Sequence, residues 1–319
     1  MKISGGLFKD LLPPLMWSCL RRLKLLLSGG HPIYEPRVFM THEEIPPVVE
    51  NVWASGNWIE SQYIFTALQK HGAGAELNVY QPLNVNASSL LLASGISLHL
   101  TEVKGPVMDH LKDTPFLHEN EVLKKTVEIL DIGGGLSGGF YPEMQKHLSA
   151  MGLGLKYAIV DGRMNCEFGE KFFHSHKNIK FYDFDTGGLE MAAHSLGSID
   201  VCNLSSTLQY ILDWRSAIAS IISLRPRTIA ISRTPFSDSA ETEAYGIQHV
   251  STHKGYCGRA KVVMIPRVML IQEMQRHGYD CWAEHGTTGD ASWYWQAGCQ
   301  RQAYFPQANR SFIFVSRNL

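Results

Sequence analysis

The sequence lacks paired cysteines. Its six cysteines, at positions 19, 166, 202, 257, 281 and 299, include no CxxC pair, so neither a zinc-ribbon site nor a disulfide framework is expected. Buried thiols in a reduced cytoplasm are the expectation, and Cys202 and Cys281 lie in apolar runs that read as strands. It also lacks an excess of charge. The 29 basic residues face 30 acidic ones, for a formal net charge of -1, which excludes the basic footprint of a nucleic-acid binder. No apolar run reaches the ~18–20 residues of a membrane span. Residues 11–27, LLPPLMWSCLRRLKLLL, come nearest, but Arg21, Arg22 and Lys24 sit inside the run, whereas a signal peptide carries its charge ahead of an unbroken apolar stretch. Pro13 and Pro14 suit a helix start. Such a helix fits either an anionic membrane surface or packing against the domain or a partner subunit. A cytoplasmic protein is expected, with peripheral membrane contact through residues 11–27 as the alternative.

The 319 residues are enough for two domains, or for one domain with an extension. Residues 1–120 read as a mostly helical N-terminal extension or cap: 58–70, WIESQYIFTALQK, has helical spacing, and 88–100 is apolar in either register. Residues 121–319 read as an α/β domain. Apolar runs at 127–132, 156–161, 179–184, 199–204 and 227–232 alternate with helical stretches at 141–151, 164–174, 189–196 and 214–224. This pattern predicts a parallel sheet with helices on both faces. After the fifth strand come a helix at 267–277, a short strand from 278 to 282 and a final one at 311–317. The last two are too close for a helical crossover and predict an antiparallel pair.

Glycine is plentiful, at 28 residues against a usual ~7% of a chain, and its densest cluster follows the first strand. Asp131-Ile132-Gly133-Gly134-Gly135-Leu136-Ser137-Gly138 forms a strand–turn–helix junction. There glycines let the backbone turn tightly and a ligand approach without Cβ in the way. The stretch satisfies GxGxxG, the weak dinucleotide fingerprint, and equally D-x-G-x-G-x-S. The latter resembles the first motif of class I S-adenosylmethionine-dependent methyltransferases. Asp131 separates the two, because a carboxylate there repels a pyrophosphate but suits the cationic amino end of S-adenosylmethionine, directly or through water. Asp161, at the end of strand two, can accept both ribose hydroxyls of either cofactor or cap the next helix. Asn203, late in strand four, joins Asp131, Gly133, Gly134, Gly135 and Asp161 on the cofactor side. The resemblance further implies that a polar residue after strand three takes the adenine amino group. Asp183 and Asp185 stand there, and either can instead cap the following helix.

The predicted ending also resembles this class, whose Rossmann-like, mostly parallel sheet of seven strands carries one antiparallel terminal strand. Further phrases resemble a bacterial methyltransferase family encoded among genes for surface-polysaccharide assembly. They are Leu130 to Gly135, Ser205-Ser206-Thr207-Leu208-Gln209-Tyr210-Ile211, Ser232-Arg233-Thr234-Pro235-Phe236, Ile247-Gln248-His249-Val250, and the opening Leu11-Leu12-Pro13-Pro14. That resemblance implies methyl transfer in polysaccharide biosynthesis and covers most of residues 125–285.

Methyl transfer is an in-line displacement that needs alignment and, for a hydroxyl acceptor, a base. The residues expected to face the methyl group follow strands four and five: Ser205, Gln209 and Tyr210; Arg233 and Thr234; then Gln248, His249, His253 and Tyr256 in a loop. His249 is the candidate base, because an imidazole is the side chain whose ordinary range lies nearest working pH. Arg233 can clamp an anionic group on the acceptor or make a structural ion pair. Tyr210 can act in catalysis or simply pack, and Asp213 is expected to cap the helix at Trp214. His249 and His253 have the i, i+4 spacing of a zinc pair on a helix but no third ligand, so no metal is expected. Trp293, Tyr294, Trp295, Tyr304 and Phe305 suit a packed lid, a subunit contact or a sugar-stacking platform. The expectation is an S-adenosylmethionine-dependent methyltransferase acting on a small-molecule or sugar acceptor, at oxygen. The alternatives are an NAD(P)-dependent oxidoreductase, weakened by the lack of a Tyr-xxx-Lys pair, and a non-catalytic scaffold of the same fold.

Overall fold

The computed structural model describes residues 41–45, 47, 52–56, 126–135, 141–150, 152–237, 242–252, 255–286 and 308–317. The amphipathic segment 11–27, the helix at 58–70, the run at 88–100, His253 and the aromatic cluster from Trp293 to Phe305 lie outside the described residues.

Five strands occur where the apolar runs predict them: β1 (Thr126–Ile132), β2 (Gly154–Asp161), β3 (Ile179–Asp183), β4 (Val201–Ser205) and β5 (Thr228–Ser237). The helices α1 (Tyr141–Ala150), α2 (Arg163–Phe172), α3 (Gly188–Leu196) and α4 (Trp214–Ser223) alternate with them. After α5 (Arg267–Arg276) come β8 (Tyr279–Gly286) and β9 (Ala308–Ser316). The sheet runs β3-β2-β1-β4-β5-β9-β8. All neighbouring pairs from β3 through β5 are parallel, and β9 is antiparallel to both β5 and β8. This is the expected seven-stranded sheet with an antiparallel terminal strand. Strand order reverses at β1, which lies between β2 and β4, so the crevice of a doubly wound sheet opens at its carboxyl end.

Both faces are covered, which is why these strands read as continuous apolar runs rather than as alternating ones. Leu130, Ile132, Leu204 and Ile231 face a core built with α3, α4 and α5. Val127, Ile129, Val201 and Ala230 face α1 and α2. Trp214, buried in the first core, satisfies its indole N–H at 2.8 Å on Glu243, as a buried tryptophan must. Asp213 caps α4 as expected, accepting from the Ser216 amide at 3.2 Å. Asp213→Ala is expected to cost about 1 kcal/mol, a melting shift of roughly 2–4 °C readable by calorimetry.

Two expectations are corrected. Arg233 and Thr234 do not follow strand five but lie within it, because β5 continues to Ser237 past an irregularity between Ile231 and Thr234. The segment expected as a loop is a hairpin of β6 (Ala244–Thr252) and β7 (Gly255–Pro266). Among the described residues it joins the sheet where Phe236 and Ser237 meet Ile265 and Pro266, so it rises from the carboxyl end of β5. Of the N-terminal extension, short 3-10 turns at His42–Glu44 and Val52–Ala54 are described. Ile45 enters the main core, and Val52 packs with Val250 and Ala260 of the hairpin.

Candidate active site

The turn after β1 depends on glycine for two separate reasons. Gly133 and Gly135 have φ of +74° and +70°, a region that side chains beyond glycine adopt at a cost. Gly134 has no room: a Cβ there would lie 2.8 Å from Asp131 Oδ2 and 3.3 Å from Ile159. Gly133 is equally tight, with a Cβ placed 2.7 Å from Thr207 Cγ2. The turn is therefore clamped from below by Asp131 and from the β4 side by Thr207. Thr207 directs its hydroxyl to the carbonyls of Ile132 (3.0 Å) and Ser205 (3.1 Å).

Asp131 is 1% exposed and lies beneath the turn. Its oxygens accept from the Tyr157 hydroxyl at 2.6 Å and the Asn203 amide at 2.8 Å. Asn203 is itself buried and in register with Asp131. Burial raises the Asp131 carboxyl to about 6; the bonds from Tyr157 and Asn203 lower it, and the nearby Asp161 charge adds to the rise.

Asp161 stands at the mouth of the crevice. One oxygen accepts from the Gly135 amide at 2.8 Å, and the other from the Gly162 amide at 2.7 Å and the Asn165 amide at 2.8 Å. Burial raises its pKa against those three stabilising bonds. A carboxylate offers about four acceptor positions, so a position remains for an incoming hydroxyl. Asn165 Oδ1, beside it, is buried without a partner. Asp161 is not a helix cap: Gly162 occupies the cap position of α2 and offers no side chain. Asp183 does cap, accepting from the Asp185 amide at 3.1 Å at the 3-10 turn Phe184–Thr186. Asp185 is exposed. Met164 and Phe184, 40% and 57% exposed, present apolar surface just past the ends of β2 and β3.

The three catalytic candidates occupy different places. Tyr210 ends a 3-10 turn after β4 and packs edge-on against Trp53, with ring centroids 4.7 Å apart. Its hydroxyl donates to Gln248 at 2.9 Å, so its packing is satisfied. His249 follows Gln248 on β6, and strand alternation puts it on the opposite face, with Tyr245 and Ile247, which enter the main core. It is half-buried and opposite Arg259. Arg233 sits in β5 at the irregularity, its side chain outside the described residues. β6 is extended through Thr252, so the helical spacing a zinc pair would need is absent up to that residue. Among the described residues no group of three metal-ligating side chains forms.

Tyr157 and Asn165 carry much of this geometry and are not marked by any motif, and Thr207 is marked only as part of the phrase Ser205 to Ile211, which gives it no role. Tyr157 and Asn165 each lie four residues from Asp161, and their roles emerge only in the folded chain, through strand register for Tyr157 and the start of α2 for Asn165. Met164 and Phe184 carry one weak signal, an apolar residue just past a strand's carboxyl end.

No protein-family model matches the chain, and no curated protein matches it. Solved structures similar to it include an S-adenosylmethionine-dependent methyltransferase from Methanosarcina mazei, at 12% identity and a TM-score of 0.40, covering 67% of this chain and 98% of that one. Another is the Burkholderia thailandensis 1,6-didemethyltoxoflavin-N1-methyltransferase with 1,6-didemethyltoxoflavin and S-adenosylhomocysteine bound, at 10% identity and 0.41, covering 89% and 94%. A third is the glycopeptide N-methyltransferase MtfA complexed with S-adenosylmethionine, at 13% and 0.40, covering 60% and 82%. At such distances the likeness adds no argument of its own, and the fold rests on the strand order and register described above.

Proposed function

We propose that this protein is an S-adenosylmethionine-dependent methyltransferase that methylates an oxygen of a small-molecule or sugar acceptor. The observation that carries the proposal is the buried carboxylate of Asp131 directly beneath Gly134. Ionised, it places negative charge under the turn where a dinucleotide would set its pyrophosphate, and it favours a cationic ligand instead. The surrounding groups fit such a cofactor. Asp161 and the idle Asn165 oxygen offer acceptors for ribose hydroxyls, Met164 and Phe184 offer apolar surface for a base, and the glycines leave room for close approach.

When bound, S-adenosylmethionine supplies a methyl group on a sulfonium, already activated for displacement. The chain has then to align the acceptor and take its proton. The carboxyl ends of β4 and β5 are where the acceptor would lie, and His249, the one imidazole among the described residues of the hairpin, is the proposed proton acceptor. Isothermal titration tests the assignment: S-adenosylmethionine and S-adenosylhomocysteine bind, and NAD(H) does not. Binding of NAD(H) with no response to either sulfur ligand overturns it.

A further inference from the structure

The segment that follows β4 is strained and held from several sides. Ser206 has φ of +55°, a left-handed backbone that residues other than glycine adopt at a cost, and one that persists only where the surroundings over-determine it. Here they do. The Ser206 amide donates to the Ser232 carbonyl at 2.8 Å, and the Tyr210 amide closes the turn on the Thr207 carbonyl at 2.9 Å. Leu208 is wholly buried in the main core. The side-chain amide of Gln209 donates to Ser206 Oγ at 3.1 Å.

Thr207 stands between this segment and the glycine turn. Its hydroxyl has one hydrogen to donate and two carbonyls in reach, Ile132 at 3.0 Å on β1 and Ser205 at 3.1 Å on its own strand. Donated to Ile132, the hydrogen ties the residue just before Gly133 to the β4 side. Donated to Ser205, it leaves the turn to its other ties, the Gly133 amide on the Val160 carbonyl and the Gly135 amide on Asp161, each at 2.8 Å. The two carbonyls are almost equally distant, so a small shift of the Thr207 backbone decides between them. What braces that backbone lies outside the parallel sheet. Tyr210, three residues on, donates to Gln248 of the β6–β7 hairpin at 2.9 Å and packs edge-on against Trp53 of the N-terminal extension. Tyr210 and Trp53 pack together on Val52, Val250 and Ala260.

We propose that Thr207 is a positioning residue for the cofactor turn, and that Trp53 and Gln248 act on that turn through Tyr210 and Thr207. The proposal rests on reading Gly133–Gly135 as the cofactor turn. It gives the N-terminal extension and the hairpin a part in cofactor binding through the turn itself, and it makes Tyr210 a brace. Coupling of this kind needs an element with two arrangements that both ends bias, and the shared Thr207 hydrogen is that element. The consequence is affinity, because a turn fixed before the ligand arrives leaves less ordering to be done on binding.

The test is amide hydrogen exchange by NMR on the full chain, isotope-labelled at glycine and free of ligand, joined to calorimetric titration with S-adenosylhomocysteine. Thr207→Val keeps the shape and removes the hydroxyl. Gly133 and Gly135 are expected to exchange roughly tenfold faster in it, while Gly197 and Gly278, bonded at the ends of α3 and α5, exchange as in wild type. A general loss of stability would speed all four, so the contrast separates positioning from a merely structural role. Thr207→Ser restores the hydroxyl and with it the protection. Tyr210→Phe, and Trp53→Ala at a half-buried position, each speed Gly133 and Gly135 about threefold or more and weaken S-adenosylhomocysteine binding by a similar factor. Tyr210→Phe adds nothing in a chain that already carries Thr207→Val. The proposal is overturned if Thr207→Val, Tyr210→Phe or Trp53→Ala leaves Gly133 and Gly135 at wild-type rates, or if the effects of Tyr210→Phe and Thr207→Val add in full. If the wild-type chain does not bind S-adenosylhomocysteine, the cofactor reading falls, and exchange in the ligand-free protein still upholds or overturns the coupling.

Discussion

Asp161→Ala is expected to abolish measurable S-adenosylmethionine binding while the chain stays folded. The side chain sits at the open end of β2 and makes its three bonds to groups at the crevice, the amides of Gly135 and Gly162 and the side chain of Asn165. Water can replace it there, so the fold loses little. The ligand loses two things at once. The first is the acceptor for its ribose hydroxyls, where hydrogen bonds to a charged group contribute ~1.5–3 kcal/mol each. The one acceptor position left on Asp161 by its three bonds corresponds to a loss of roughly 10–10² in affinity, before the second loss is added. The second is the tie that holds Gly135 across to β2, which fixes the turn before any ligand arrives. Asp161→Asn separates the two effects, because it keeps an acceptor oxygen while giving up charge, and its affinity should fall between wild type and alanine. Calorimetric titration reads both variants, and wild-type affinity in the alanine variant contradicts the assignment.

The sheet was legible in the sequence because its strands are buried on both faces. Runs such as Ile129-Leu130 and Ile229-Ala230-Ile231 stay apolar without alternation and are bounded by helices, so β1 to β5 appear where expected. The β6–β7 hairpin was not legible. Gly246, Gly255 and Gly258 interrupt it, Gln248 and His249 put polar groups on both faces, and only Val262 to Ile265 reads as a strand. Its pairing is set by contact with β5 and with the Val52–Ala54 and Leu208–Tyr210 turns, which no local pattern encodes. The same division holds at the site. Asp131 and Asp161 are readable because strand ends fix their distance from the glycines. The Tyr157 and Asn203 bonds to Asp131, and the Thr207 contacts with Gly133 and Ile132, depend on register between segments up to 75 residues apart along the chain, roughly the span of a small domain.

Asp131 should leave a distinct pH signature in the ligand-free protein. Its folded carboxyl titrates at about 6, against an ordinary 3.8. A raised value means that the folded state holds a proton which the unfolded chain has already released, so this contribution is fully present below about pH 4 and is lost as pH rises through about 6. A difference of about two pK values corresponds to about 3 kcal/mol. Other carboxylates, Asp280 and Glu284 among them, are held low by Arg317 and by Arg267 with Arg310, and they act in the opposite direction. The test is therefore the difference between wild type and Asp131→Asn, which has nearly the same shape and no titration at this position. Denaturant unfolding should show wild type losing about 3 kcal/mol relative to the variant between about pH 4 and about pH 7. A parallel pair of curves would contradict the buried, proton-holding carboxyl. Cofactor binding reverses the preference, because a cationic ligand above the turn favours the ionised form. Wild-type affinity for S-adenosylmethionine should then rise with pH through about 6 as Asp131 ionises, and the slope should vanish in Asp131→Asn. The same carboxylate that costs the empty protein stability at neutral pH is the group that would favour a sulfonium over a pyrophosphate, which places the cost and the selectivity in one residue.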